Sequence, residues 1–421
     1  MSWDGKGGFF GPSFGAPPDP TRSGAVDQGR GLPTAASPTE LDALRRIAHD
    51  AYATGRLTDA VDAQSTVLAM ARATSVPEPG DFLFAGLVHH AARQFSEGIA
   101  VLREGVGRYR DNTALHENLG VLLLDVCDIA GSIQSCQTAI ALGSVSPNVH
   151  DCLSEAYQRV ERPDLAVAAG RTALEAKDRR FGSATPLVAM PDSPPPAFNP
   201  DRPEQNIIAY SLWGNQPRYH VPLLENARIR PHLFPAWTIR VYHDHSVDPA
   251  YLTQLAAHGV QLRTMALPPG VAAHRVLLWR FEAIADPGVT RFLIRDADSL
   301  LTVKERVAVD AWLRSDFHFH AMRDWYSHTD LLLAGMWGGV GGILPNPAAL
   351  MRAYTFWRME NDHIDQDLLS ETVWPSIRRN VLIHDSIFQP CLGSLPFPPF
   401  GDLPDGHHIG QNSFQHFSKS G

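Results

Sequence analysis

The chain has little cysteine, no long apolar run and no excess of positive charge, and each shortage excludes something. Only Cys127, Cys136, Cys152 and Cys391 occur in 421 residues, and their spacings fit neither a zinc site nor a redox pair. Three of them fall in a helical region, where reduced cysteine acts as a small buried packing residue; a cytoplasmic location is expected on that ground. No stretch reaches the roughly 18 apolar residues that a membrane-spanning helix needs. The first residues have neither the basic region nor the apolar core of a secretory signal. Lysine and arginine total 36 against 45 acids, a net charge of −9. That balance argues against nucleic acid as a partner, because a polyanion surface needs clustered cations. A single nucleotide can still be met by a few local arginines. With 44% hydrophobic residues the chain has enough apolar content for two or three cored domains.

Composition divides it. Residues 1–38 are rich in Gly, Pro, Ser and Asp without apolar periodicity and are expected to form a disordered tail. Residues 184–205 form a linker, densest in proline over 191–205, where an extended spacer replaces helix. Between them, 39–183 has helical character and an internal repeat. Gly86, Gly120 and Ser154 recur every 34 residues (120 − 86 and 154 − 120), as do Phe95, Ile129 and Pro163, and Ala100, Gln134 and Ala168. An earlier unit fits 41–74 if its connection is longer. With Leu119-Gly120, Ala156-Tyr157 and Ala173-Leu174, this region resembles tetratricopeptide repeats. Such units bury their apolar faces only by stacking. The resemblance implies a surface for a protein partner; the alternative is a purely structural helical appendage.

From 206 to 421 short β-rich runs alternate with helical stretches. Strands are expected at 207–213, 238–242, 260–265, 291–294, 317–322 and 381–383. Helices are expected at 219–230, 248–258, 274–285, 304–315, 347–360 and 365–377. This alternation argues for an α/β layer with a mainly parallel sheet. The most informative stretch is Arg291–Ser299. An apolar run (Phe292, Leu293, Ile294) breaks into Asp296 and Asp298, two carboxylates that can share one hard divalent cation. Magnesium is usually held by one or two carboxylates together with substrate phosphates. Taken alone, such a pair is also an ordinary Asp-rich turn. Other polar groups fall at the expected strand ends: Ser211 to Gly214, Tyr242 to His245, and Arg323-Asp324. In a parallel sheet those ends share the edge where ligands bind. Residues 333–342 read as a glycine-dense loop that lets backbone approach a ligand. Asp365-Gln366-Asp367 opens a helix, and His407-His408-Ile409-Gly410 follows near the end.

In this order, residues 206–421 resemble GT-A glycosyltransferases, with the glycogenin-like family the nearest echo, and bacterial proteins in which such a domain follows tetratricopeptide repeats. The resemblance implies a GT-A, Rossmann-like α/β fold and a transferase moving sugar from a nucleotide-sugar donor to a glycan, lipid-linked or protein acceptor. It implies that Asp296, Asp298 and His407 hold Mn²⁺ or Mg²⁺, with His384 and His408 as rivals to His407. It implies that Ser211, Trp213 and Asp244 line the nucleoside pocket and that Gly335 lies on the ligand side. Asp365 and Gln366 would lie beside the transferred sugar, with Asp324 or Asp367 as base in an inverting reaction. The Lys-Pro-Trp that often follows the late histidine in that family is absent. Arg280, Arg295 or Lys419 would have to neutralise the leaving diphosphate instead. Two other readings stand: a catalytically silent nucleotide-binding interaction protein, and a nucleotidyl or phosphoryl transferase built on the same acid pair.

Overall fold

The computed structural model describes residues 38–74, 77–268, 273–354 and 363–413. Residues 1–37 of the expected tail, 355–360 of the expected helix 347–360, and Lys419 lie outside these. The chain divides into two compact units, 1–166 and 167–421.

The first unit is a run of helical hairpins. Its helices are α1 (Pro38–Ala53), α2 (Leu57–Thr74), α3 (Pro79–Ala91), α4 (Phe95–Arg108), α5 (Thr113–Asp125), α6 (Ile129–Ala141), α7 (Pro147–Arg159) and the start of α8 (Pro163–Phe181). Pro79, Thr113 and Pro147 open the first helices of three successive hairpins, and Phe95, Ile129 and Pro163 open the second helices. Each set steps by 34 residues (113 − 79, 147 − 113), so the repeat read in the sequence is the hairpin itself. Its small residues mark the closest approach of the paired helices. A Cβ on Gly86 would sit 2.9 Å from the Leu102 side chain, and one on Gly120 2.5 Å from Cys136 Sγ. Ser154, the third member, donates from its hydroxyl to the Ala166 carbonyl at 3.0 Å. The turns inside the hairpins repeat as well, with Arg93, Cys127 and Glu161 all in the left-handed region. Cys127 is therefore exposed in a turn, contrary to the expectation of burial, whereas Cys136 and Cys152 are buried and unoxidised.

The second unit is built on one seven-stranded mixed sheet in the order β3-β2-β1-β4-β6-β5-β7. The strands are β1 (Asn206–Leu212), β2 (Thr238–His243), β3 (Gln261–Thr264), β4 (Arg291–Arg295), β5 (Phe319–Arg323), β6 (Met336–Val340) and β7 (Val381–Asp385). β1 to β4 pair in parallel, β5 pairs with β7 in parallel, and β6 runs antiparallel between β4 and β5. The glycine-dense stretch expected to be a loop is this antiparallel strand. Its glycines are required by close packing, since a Cβ on Gly338 or Gly339 would overlap the backbone of β4 or the rings of Phe292 and Phe319.

Alternate residues of β1 and β4 feed two cores, one on each face. Ile207, Ala209, Phe292 and Ile294 join Phe281, Trp337 and Trp374 on one side. Ile208, Tyr210 and Leu293 join Leu223, Trp237 and Trp312 on the other. Burial on both faces explains why β4 reads as a continuous apolar run rather than an alternating one. The helices of this unit are α9 (Pro217–Leu233), α10 (Pro249–Ala257), α11 (Val303–Leu313), α12 (Pro347–Ala353), α13 (Ile364–Leu368) and α14 (Trp374–Ile377), with a 3-10 segment at Ala273–Ile284. The later part of α8 also belongs to this unit. Arg171 donates to the Phe388 carbonyl at 3.0 Å, Lys177 reaches Asp330 at 2.7 Å, and Asp178 accepts from the Trp374 indole at 2.8 Å. No described helix is long and apolar enough to cross a membrane.

Candidate functional site

The chain runs from β1 outward to β2 and β3, then returns to β4 on the other side of β1. That reversal falls between β1 and β4, whose carboxyl ends are the usual ligand position in an open α/β sheet. Asp296 and Asp298 lie in the turn just past β4. The turn is fixed by its own hydrogen bonds and by α9. Ser299 returns its backbone N–H and hydroxyl to the Asp296 carbonyl at 3.3 and 3.0 Å. Asn226, fully buried on α9, donates to the Ser299 carbonyl at 2.8 Å and accepts from Leu301 N at 2.9 Å. The Asp-rich turn is thus anchored from both its own backbone and α9.

Both carboxylates meet arginines. Arg280, on the 3-10 segment, bonds Asp296 Oδ1 through Nη1 and Asp365 Oδ2 through Nη2 at 2.8 Å. It also donates to the Arg295 carbonyl at 2.9 Å. Burial works against this guanidinium's charge, but Asp296 and Asp365 outweigh it and raise its pKa. Burial pushes the Asp365 carboxyl upward, opposed by Arg280. Arg218, on the first turn of α9, sends Nε and Nη2 to Asp298 Oδ2 at 2.9 and 2.7 Å. Sequence reasoning missed Arg218; its one signal was its position directly after Pro217, at the opening of the first helix beyond β1. Gly335 lies against Asp296, and a Cβ there would overlap the carboxylate.

The other expected site residues separate into groups. Ser211 Oγ accepts from Arg280 N at 3.0 Å and donates to the Leu277 carbonyl at 3.1 Å, so it seats the 3-10 segment that carries Arg280. Trp213 is half-buried, 6.0 Å from the Tyr219 ring. Asp244 is half-buried and accepts from Ser246 N at 3.0 Å and from the Ser246 hydroxyl. That hydroxyl in turn accepts from Gly214 N at 2.7 Å, joining the loops after β1 and β2. Gln366 follows Asp365 at the start of α13, and its buried Oε1 has no hydrogen-bond partner among the described residues.

Three of the expected site residues have other partners. Arg295 is buried and ion-paired with Glu305 of α11, and it donates to the Trp337 carbonyl at 2.9 Å. It is a core ion pair, tying β4 to α11 and β6. Asp324 is a strut rather than an open base. Its Oδ1 accepts from Lys304 and from the Ser386 hydroxyl, and its Oδ2 from Ile409 N at 2.9 Å. Among the described residues no three His, Cys, Asp or Glu side chains gather to hold a metal, so His407 does not complete a set with the two aspartates. His407 is half-buried and its Nδ1 lies 3.2 Å from the Asp405 carbonyl. His408 stacks on Trp325 with centroids 4.9 Å apart. His384 is buried in β7, where it shares a 2.8 Å hydrogen bond with His320 of β5.

The segment after β7 nevertheless reaches the turn after β4 and the start of β6. Gly410 has φ +80° and abuts Met336 at the start of β6, and Ser413 N donates to the Asp298 carbonyl at 2.8 Å. The donor set fits a hard dication of the magnesium or manganese kind with two protein carboxylates. Its remaining positions would go to substrate oxygens and water.

No family model and no curated protein matches the chain. Solved structures give partial likenesses. A mutant O-GlcNAc transferase from Thermobaculum terrenum is 21% identical with a TM-score of 0.39, over 61% of this chain and 46% of that one. A MamA protein is 19% identical with a TM-score of 0.30, over 32% of this chain and 73% of that one. MamA from Desulfovibrio magneticus RS-1 is 16% identical with a TM-score of 0.31, over 33% and 77%. At such scores these likenesses decide nothing about activity.

Proposed function

We propose that the chain is a metal-dependent glycosyltransferase of GT-A type, taking a nucleotide-sugar donor, with the helical repeats engaging a protein partner or acceptor. One observation carries the reading. The Asp296-Ala297-Asp298 turn occupies the carboxyl edge where the strand order reverses, and both carboxylates are held by arginines there. This edge combines fixed acids for a dication with guanidiniums for phosphate oxygens. It lacks the Lys-Ser/Thr loop of an ATPase.

In this reading Asp296 and Asp298 would hold Mn²⁺ or Mg²⁺, which would supply Lewis acidity to the leaving diphosphate. Arg280 holds Asp296 and Asp365 in fixed orientation, so that the donor meets pre-set dipoles rather than mobile side chains. Gln366, whose Oε1 has no hydrogen-bond partner among the described residues, would offer an amide oxygen to positive charge developing on the sugar. Asp324, saturated by Lys304, Ser386 and Ile409, is unsuited to deprotonate an acceptor, which leaves Asp367 as the base that an inverting reaction would use. Trp213 and Asp244 border the same edge and suit contacts to base and ribose.

A ligand that binds only the native state raises its melting temperature. Thermal unfolding with UDP, GDP or CDP, with and without Mn²⁺, is the test of donor binding. Stabilisation by one nucleotide that requires the metal and disappears in Asp298→Asn supports the reading. No response to any of them removes the nucleotide site and leaves a protein whose role is interaction through the repeats.

A further inference from the structure

The leaving diphosphate in the proposed transfer needs a positive partner beyond the metal, and the lysine expected after the late histidine is missing. The described cations at the edge can be compared by what already holds them. Arg280 is buried between Asp296 and Asp365. Arg295 is buried on Glu305. Lys304 is tied to Asp324 and Ser386. Arg323 is buried and bonded to the Asp330 and Leu331 carbonyls. None of these can turn toward a ligand without leaving a buried acid or carbonyl unpaired, which is costly.

Arg218 differs. Its side chain is 41% exposed, while its partner Asp298 is 13% exposed. Nε and Nη2 both converge on Oδ2, one oxygen of that carboxylate. It stands on the first turn of a 17-residue helix whose N-cap, Gln216, makes no side-chain cap, and its guanidinium lies 5.4 Å from the Tyr219 ring centroid. The guanidinium is the solvent-facing member of the pair and Asp298 the buried one, so the arginine can swing off the carboxylate into water once another cation pairs the acid. The guanidinium on Asp298 thus occupies the charge position that a dication would take.

The geometry points to Arg218 as an exchanging partner. It neutralises Asp298 in the empty site, gives up that carboxylate when a divalent cation binds, and takes the donor's diphosphate as its new anion. The exchange keeps the local charge balanced at each stage, since the acid gains the metal while the guanidinium gains phosphate oxygens, a bidentate geometry that suits arginine. The inference rests on the nucleotide-site reading and supplies the leaving-group cation that the reading lacks.

It predicts opposite signs for two ligands in the full-length chain. In Arg218→Ala, Mn²⁺ alone, followed by electron paramagnetic resonance of the free ion, binds about tenfold more tightly because its competitor for Asp298 is gone. The nucleoside diphosphate that the wild type binds, titrated calorimetrically at saturating Mn²⁺ from a set of UDP, GDP, ADP and CDP, binds about tenfold more weakly. Arg218→Lys keeps the charge without the fork and falls between the two on both measurements; it also carries the test if the alanine variant unfolds. A merely structural arginine would move both affinities the same way or neither. Either of those results overturns the assignment of Arg218 while leaving the site intact. A wild type that binds Mn²⁺ but no nucleoside diphosphate removes the site reading itself, and this exchange with it.

Discussion

At the scale of single residues, the edge depends on a few contacts that substitution can separate. Gly335 leaves room for the Asp296 carboxylate. Gly335→Ala is expected to force Asp296 off Arg280 and to abolish Mn²⁺-dependent nucleotide stabilisation. The variant should keep a cooperative thermal transition. A full nucleotide response in this variant would show that the Asp296 position is unimportant. Arg295 makes the complementary case. Removing one partner of a buried ion pair typically costs about 3–5 kcal/mol, so Glu305→Ala should lower the denaturation midpoint severely. An unchanged midpoint with lost nucleotide binding would return Arg295 to the donor site. The contrast between Arg295 and Arg218 also shows what a sequence can and cannot tell about charge. Both arginines lie near strand ends. Only the register of β4 sends Arg295 toward Glu305, ten residues on in sequence, and only the fold brings Arg218 to Asp298 across 80 residues.

At the scale of elements, the repeat and most of the sheet were legible because they rest on local periodicity. The 34-residue step marked the equivalent positions Phe95, Ile129 and Pro163, which prove to open helices, and the apolar run at Phe292–Ile294 marked β4. β6 was not legible. Its glycines and tryptophan suggest a loop when read alone, and its strand state follows from neighbours that no local pattern reveals. The β5–β7 pairing adds a pH dependence. His320 and His384 share a buried hydrogen bond, and burial holds both below the usual histidine range, His384 at about 4. Their folded pKa values lie below the unfolded value, so the unfolded chain takes up protons first. The stability they contribute is complete above about pH 6.5 and falls as the pH drops toward 4. For His384 alone the loss at pH 5 is about 2 kcal/mol. Urea unfolding at pH 7 and pH 5 should show this fall, with a smaller one in His384→Gln. Equal slopes would place the acid sensitivity elsewhere.

At the scale of the whole molecule, the second unit begins within α8, before the proline-rich segment. Arg171, Lys177 and Asp178 bond to Phe388, Asp330 and Trp374 of the same unit. A fragment starting at 167 is therefore expected to melt cooperatively and several degrees above one starting at 206, by differential scanning calorimetry. Equal melting temperatures would mean that these contacts contribute nothing to the unit's stability. The proposed division of labour, repeats for a partner and sheet for the donor, depends on what happens at the Asp296–Asp298 turn. The most direct measurement is release of nucleoside diphosphate from a panel of nucleotide sugars by the full-length protein, with and without Mn²⁺, beside Asp298→Ala. Metal-dependent release from one donor, lost in the variant, is the predicted result. Release that ignores both metal and variant, or none from any donor even with candidate acceptors supplied, would contradict it.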